Sequence, residues 1–217
     1  NVSFPEIARN ESIYDEGPFA KAIANHIGTE HKEITLNKKN SLSVIKNIFN
    51  HFSEPFADSS QVPTYLICQE ARKMGLNVAM SGDGGDELFG GYNRHLLIPK
   101  IHSTFGKIPS FVKEGIVLAV KNNPLIDFLI SKEKNQKLYS AISNSENPSK
   151  IYNILTTTGL SNSDLLRLKH CSNIEEIGKK FSDISNISEL IMLKDLTTYL
   201  PFDILVKMDR SSMASSF

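Results

Sequence analysis

The chain has 217 residues, 40% of them hydrophobic, which is enough for a core and for one domain or one and a part. Its 24 basic side chains balance its 24 acidic ones, so no charge excess marks a nucleic-acid or membrane surface as a partner. The two cysteines, Cys68 and Cys171, fit neither a disulfide framework nor a zinc spacing, no apolar run approaches the roughly eighteen residues of a membrane span, and the first residues lack the basic start and apolar core of a signal peptide. A soluble protein in a reducing, cytoplasmic compartment is the simplest expectation.

Asn1-Val2-Ser3-Phe4 opens like a strand with no methionine before it, and 5–15 reads as a loop, so the chain reads as starting in mid-domain. Phe19 to Ile27 has apolar residues at helical spacing with Gly28 as a stop, and His31 to Leu36 alternates like a strand. Leu42 to Phe52 and Thr64 to Met74 are helices by period, the second closed by Gly75, and Leu76-Asn77-Val78-Ala79-Met80 reads as a buried strand. Strand, helix, strand, helix, helix, strand makes an α/β fold with a partial doubly wound parallel sheet the economical expectation.

The run Ser81-Gly82-Asp83-Gly84-Gly85-Asp86-Glu87-Leu88-Phe89-Gly90-Gly91-Tyr92 then forms a strand-loop-helix corner. Such corners bind ligands in open α/β sheets, because loop amides and a helix start point at whatever sits there. Glycines at 82, 84 and 85 let the backbone approach a ligand, but Asp83, Asp86 and Glu87 would repel bare phosphates. A divalent cation resolves the conflict: Mg²⁺ is held by one or two carboxylates plus phosphate oxygens, which suits Asp86 with Asp83 or Glu87 around a nucleotide polyphosphate. No Gly-Lys-Ser/Thr ending makes this a Walker loop, the third glycine of a dinucleotide fingerprint would fall on Glu87, and the Asp83–Asp86 spacing is wrong for an EF-hand. An ordinary acidic surface turn accounts for one Asp and one Gly, and less well for two flanking glycine pairs.

Beyond Tyr92 the chain changes character. Helical periods cover Phe111 to Val120, 125–130, Gln136 to Ser143, Ile151 to Leu155, 163–168, 174–181 and Glu189 to Leu200, separated by Pro109, 122–124, Asn144 to Pro148 and Gly159. We therefore divide the chain into an α/β part, 1–95, and a helical part, 96–217, in which the stretch from Leu96 to Leu196 reads as packing and cover. None of the histidines forms a ligand pair one helical turn apart, and His26 and His51 read as helix C-terminal residues suited to the dipole. Ser59-Ser60 lacks the elbow and partner of a nucleophile. Leu200-Pro201-Phe202-Asp203 is expected to break one helix before Ile204 to Arg210 starts another, with Lys207, Asp209 and Arg210 on a solvated side.

Three stretches together resemble the synthetase domain of glutamine-dependent asparagine synthetases, members of the pyrophosphate-releasing ATPase superfamily. They are Ser81 to Tyr92, Glu54-Pro55-Phe56-Ala57-Asp58-Ser59-Ser60-Gln61-Val62-Pro63-Thr64-Tyr65-Leu66, and Leu200-Pro201-Phe202-Asp203-Ile204-Leu205-Val206-Lys207-Met208-Asp209-Arg210-Ser211-Ser212-Met213-Ala214. The resemblance implies an adenine nucleotide alpha hydrolase-like sheet and an amide-forming ligase that uses ATP and Mg²⁺. Aspartate becomes an acyl-adenylate, pyrophosphate leaves, and ammonia derived from glutamine attacks to give asparagine and AMP. It places Val2 and the Ser81-Gly82 backbone at the adenosine, with the Gly84-Gly85 backbone also at the nucleotide. Asp86 falls at the Mg²⁺-pyrophosphate, and Asp83 and Glu87 among the catalytic groups. Asp83, standing where many members carry Glu, would assist proton movement or orient ammonia. Asp58, Ser59 and Ser60 fall at the acceptor pocket, and Lys207 and Arg210 where they order the site or meet substrate charge. The family's pyrophosphate loop and its amino-terminal glutaminase domain are not in this sequence, so the segment alone is expected to be inactive; a homodimer is compatible with the resemblance.

Three functions stay open at this point. One is asparagine synthesis, another is amidation of a different carboxylate such as a surface-polysaccharide sugar, and the third is a non-catalytic nucleotide-binding or interaction module.

Overall fold

The computed structural model describes residues 2–3, 17–35, 38–48, 50–54, 56, 58–121, 132–157 and 184–217. The loop expected over 5–15 and the helices expected over 125–130, 163–168 and 174–181 lie outside these residues, as does Cys171. The chain forms two compact units, one of residues 1–82 with 201–217 and one of residues 83–200.

In the first unit, β1 (Val2–Ser3) pairs in parallel with β2 (Ile34–Thr35), Val2 opposite Ile34 and Ser3 opposite Thr35. This two-stranded pair is all the sheet among the described residues, and it corrects the expected doubly wound parallel sheet: the described residues are predominantly helical. The segment expected as a buried strand, Leu76 to Met80, is irregular, with Val78 82% and Met80 99% exposed. A short apolar run carries no information about whether a neighbouring backbone is there to complete a ladder, and here none of the described residues pairs with it.

The helices of this unit follow their periodicity. α1 (Gly17–Ile27) has His26 in its last turn and ends at Gly28, whose φ of 77° is the left-handed conformation that closes a helix. α2 (Lys38–Ile48) starts and stops about a turn before its expected bounds. α3 (Gln61–Lys73) ends ahead of Gly75, also left-handed at φ 79°. Val44, Ile48 and Tyr65 form the core here, with Phe52, Val62, Leu66 and Ala214 packed around them.

The second unit is all helical among its described residues. Its helices are α4 (Gly85–Phe89), α5 (Asn93–Phe105), α6 (Ser110–Lys121), α7 (Lys132–Ser143), α8 (Pro148–Thr156) and α9 (Ile187–Lys194). Asn147 caps α8 by accepting from the Lys150 N–H at 3.1 Å, and Asn186 caps α9 by accepting from the Ser188 N–H at 3.0 Å. Ile98, Ile101, Ala141, Ile151, Tyr152 and Ile191, from α5, α7, α8 and α9, make one buried cluster. α5 runs through Pro99, which has no N–H to give to the carbonyl four residues back. That carbonyl, of His95, instead accepts from Ser188 Oγ at 3.1 Å, so the internal proline leaves no buried acceptor unpaired there.

From Asp195 to Ile204 the chain continues α9 as a π-helix, and α10 (Leu205–Ala214) follows. The expected break at Pro201 is therefore replaced by a widened helix. An α-helical proline clashes with the carbonyl four residues back and cannot bond it, while the wider π turn shifts bonding by one residue and relieves that conflict.

Candidate functional site

The acidic corner is built on two left-handed glycines. Gly84, at φ 89° and ψ −11°, sits immediately before α4, and Gly90, at φ 73°, closes it. A Cβ on Gly84 would meet Leu200 at 3.7 Å, ordinary contact, so the demand for glycine there comes from the backbone. Gly85 carries no such constraint and has open space around it. Gly84→Ala is therefore expected to cost about 1–2 kcal/mol and lower the melting temperature by several degrees. Gly85→Ala is expected to stay within about 0.5 kcal/mol of the parent in the same thermal melt.

Around the first of these glycines the chain sorts its carboxylates. Asp83, in the turn, and Asp86, in the first turn of α4, are exposed, whereas Glu87 is 1% exposed. The Asp86 carboxylate folds against the Gly91 Cα, where any Cβ would collide with it, and the Gly91 N–H donates to the Asp86 carbonyl at 2.9 Å. Glu87 Oε1 accepts from Tyr92 Oη at 2.8 Å, while its buried Oε2 has no partner. Burial, then the bond to Glu87, pushes the Tyr92 hydroxyl well above its ordinary pKa, so it stays a donor. Ser81 and Gly82, just upstream in the chain and in the other unit, are irregular and exposed.

Tyr92 also leads to a buried network that sequence reasoning missed. The Arg94 guanidinium lies 3.8 Å from the Tyr92 ring centroid and 4.7 Å from that of Tyr199. Its Nε donates to both oxygens of Asp195, at 3.1 Å to Oδ1 and 2.8 Å to Oδ2. Asp195, with no exposed surface, also accepts from His95 Nε2 at 2.6 Å and from Tyr152 Oη at 2.7 Å. Because a carboxylate only accepts, His95 carries its proton on Nε2. Burial disfavours the Arg94 charge, but the Asp195 carboxylate more than compensates and raises its pKa. No local spacing signals this network: Arg94 and Asp195 are 101 residues apart.

The first unit holds a second polar cluster. Lys207 Nζ on α10 donates to Asp58 Oδ2 and to Ser60 Oγ, both at 2.6 Å. The Ser60 hydroxyl donates to Asp58 Oδ2 at 2.6 Å and the Ser60 N–H to Asp58 Oδ1 at 2.8 Å. Burial raises the Asp58 pKa, but the bonds from Lys207 and Ser60 outweigh it and hold the carboxyl below its usual value. Lys207 lies on the same face of α10 as Ser211 and Ala214, at positions i, i+4 and i+7, and that face packs on α3. The structure thus brings together Asp58, Ser60 and Lys207. Ser59 and Arg210 are exposed, Arg210 Nε standing 4.0 Å from Asp209 Oδ2. Val2 sits in the two-stranded pair.

Asp83 and Asp86 present hard, exposed oxygen donors, and no group of three or more His, Cys, Asp or Glu gathers among the described residues to cage an ion alone. That donor set fits Mg²⁺, which takes one or two carboxylates and completes its shell with water and substrate oxygens.

A sequence profile of the family described as Asparagine synthase matches residues 2–217. A putative glutamine-hydrolysing asparagine synthetase 2 of Methanocaldococcus jannaschii is 35% identical over 126 residues, 57% of this chain and 24% of that protein. Glutamine-hydrolysing asparagine synthetase 1 of Bacillus subtilis is 29% identical over 220 residues, 94% of this chain and 32% of that protein. Asparagine synthetase B of Escherichia coli is 35% identical over 75 residues, 34% of this chain and 14% of that protein. The chain spans about a third or less of the length of these relatives. No solved structure matches it. No helix among the described residues is long and apolar enough to cross a membrane.

Proposed function

The chain belongs to the asparagine synthase family, and from that premise we propose that it is part of an ATP-dependent, glutamine-dependent amide ligase that makes asparagine from aspartate. The observation that carries the proposal is the acidic corner, where left-handed Gly84 leaves Asp83 and Asp86 exposed while Glu87 turns inward. On this reading residues 1–95 carry the nucleotide chemistry, residues 96–217 are the helical remainder, and the protein works in the cytoplasm.

Asp86 would hold Mg²⁺ against the polyphosphate, where the ion neutralises charge developing on the departing pyrophosphate. Asp83 would orient or deprotonate ammonia as it attacks the aspartyl-adenylate. The Val2, Ser81, Gly82, Gly84 and Gly85 backbones are assigned to the nucleotide, and Asp58, Ser59, Ser60, Lys207 and Arg210 to the acceptor. The ion pair holds the Asp58 and Lys207 charges in place, leaving exposed Ser59 and Arg210 as groups of that set open to a ligand.

Full-length protein with ATP, Mg²⁺ and ammonia is expected to release pyrophosphate when aspartate is added, and much less with other carboxylic acids. Mass spectrometry of the product should show asparagine. Indifference to aspartate, with amidation of another carboxylate such as a polysaccharide sugar, would replace the acceptor and keep the ligase. No pyrophosphate with any carboxylate would leave a nucleotide-binding or interaction module.

A further inference from the structure

Asp195 stands far along the chain from the acidic corner, yet a buried relay joins them. Tyr152 and His95 fix the Asp195 carboxylate, which grips Arg94 through Nε; the guanidinium plane carries the Tyr92 ring; and Tyr92 Oη donates to Glu87, the residue after Asp86 in α4. Every member lies in the same unit. The arrangement is costly unless it holds something in place, because Asp195 is wholly buried and Glu87 Oε2, Arg94 Nη2 and His95 Nδ1 are buried without partners. A cheaper core would have replaced these charges with apolar side chains. α4 itself is only five residues long and cannot fix its own side chains through helical cooperativity.

We propose that Asp195 is a positioning residue for the acidic corner: through Arg94 and Tyr92 it fixes Glu87, and with it the first turn of α4 that aims the Asp86 carboxylate. The inference rests on the reading of Asp86 as a Mg²⁺-pyrophosphate group. It predicts that loosening the relay anywhere along its length loosens the corner and weakens its use of the metal, with little effect on the aspartate site. Supports of this kind are typically worth about 10- to 100-fold in metal affinity.

The test uses full-length protein carrying Tyr92→Phe, which deletes only the hydroxyl on Glu87, and Asp195→Asn, which keeps the shape and removes the charge. Two readouts are taken: amide hydrogen exchange across residues 84–91, and the Mg²⁺ concentration giving half-maximal pyrophosphate–ATP exchange. Both variants are expected to speed hydrogen exchange in 84–91 selectively and to raise the Mg²⁺ midpoint about 10-fold, with the KM for aspartate within about 2-fold of the parent. A purely structural role would lower the maximal rate equally at all Mg²⁺ concentrations without moving the midpoint, and that result overturns the proposal. Tyr92→Phe decides the matter if Asp195→Asn fails to fold: normal exchange in 84–91 and an unmoved midpoint overturn the relay. If the parent protein performs no pyrophosphate exchange, the ligase reading has failed instead. The relay is then judged on hydrogen exchange alone, selective loosening of 84–91 supporting it and unchanged protection overturning it.

Discussion

Full-length protein carrying Asp86→Asn is expected to lose exchange of labelled pyrophosphate into ATP, while Asp83→Asn keeps measurable exchange and loses amide formation. Both side chains are exposed at the same corner, three residues apart in sequence, yet they stand on different backbone. Asp86 is in the first turn of α4, wedged against a position where only glycine leaves its carboxylate room; Asp83 belongs to the turn before left-handed Gly84. Replacing Asp86 by Asn removes charge from the residue assigned to the metal, so the step that expels pyrophosphate suffers and exchange falls with it. Replacing Asp83 should slow mainly the step it serves, amination, by about 10²- to 10⁴-fold. Equal loss of exchange in both variants would end this division of labour, and normal activity in both would return the corner to an ordinary acidic turn.

The parts of this molecule that were legible from sequence are those set by local chemistry. Gly28 and Gly75 end helices because their left-handed conformations are cheap only for glycine, and the apolar spacing ahead of each predicts the helix it closes. Of the Gly-Asp corner, the turn and the short helix after it were legible, whereas the strand expected before it is irregular. The expected strands at the start of the chain and after α1 do hold the parallel pair of β1 and β2, but the extent of the sheet was not legible. Leu76 to Met80 has the composition of a strand, but a strand is defined by a neighbour's hydrogen bonds, which the run itself does not encode. Helix continuity through two prolines was not legible either. A helix over 93–105 was not expected at all, yet Ser188, from a distant segment, caps the carbonyl that Pro99 leaves open; Pro201 was read as a stop, yet a π-helix absorbs it. The relay through Asp195 was invisible because Arg94 and His95 reach Asp195 across about a hundred residues, and an Asp between Lys194 and Leu196 has no local peculiarity. The burial of Glu87 was not legible, because nothing in the Asp-Glu dipeptide says that one side chain faces solvent and the next is buried against Tyr92.

Lys207→Met is expected to destabilise full-length protein at neutral pH by about 2–4 kcal/mol, with an effect that fades in acid. The Lys207 side chain is one-tenth exposed, and its ammonium makes two 2.6 Å bonds, one to a carboxylate and one to the hydroxyl that also serves that carboxylate. Methionine keeps most of the stem and its packing on α3, so the change isolates the charge. Asp58 is then left partly buried with only Ser60 to satisfy it, and breaking a buried pair from one side costs about 3–5 kcal/mol. The lower figure applies because Asp58 keeps a fifth of its surface in water. The sign with pH follows from the direction of the Asp58 shift. Its folded-state pKa lies below the unfolded value of 3.8, so the pair's contribution is present above pH 3.8 and is lost as pH falls through the lower, folded value. The melting-temperature difference between parent and variant should accordingly be largest near pH 7 and shrink as pH falls below 3.8. Asp58→Asn should cost less than Lys207→Met, because the amide oxygen still accepts from Ser60 and Lys207 can extend to solvent, and the double variant should cost less than the sum. Additive losses, or a difference that does not change with pH, would show that Lys207 acts through its packing on α3 and not through Asp58.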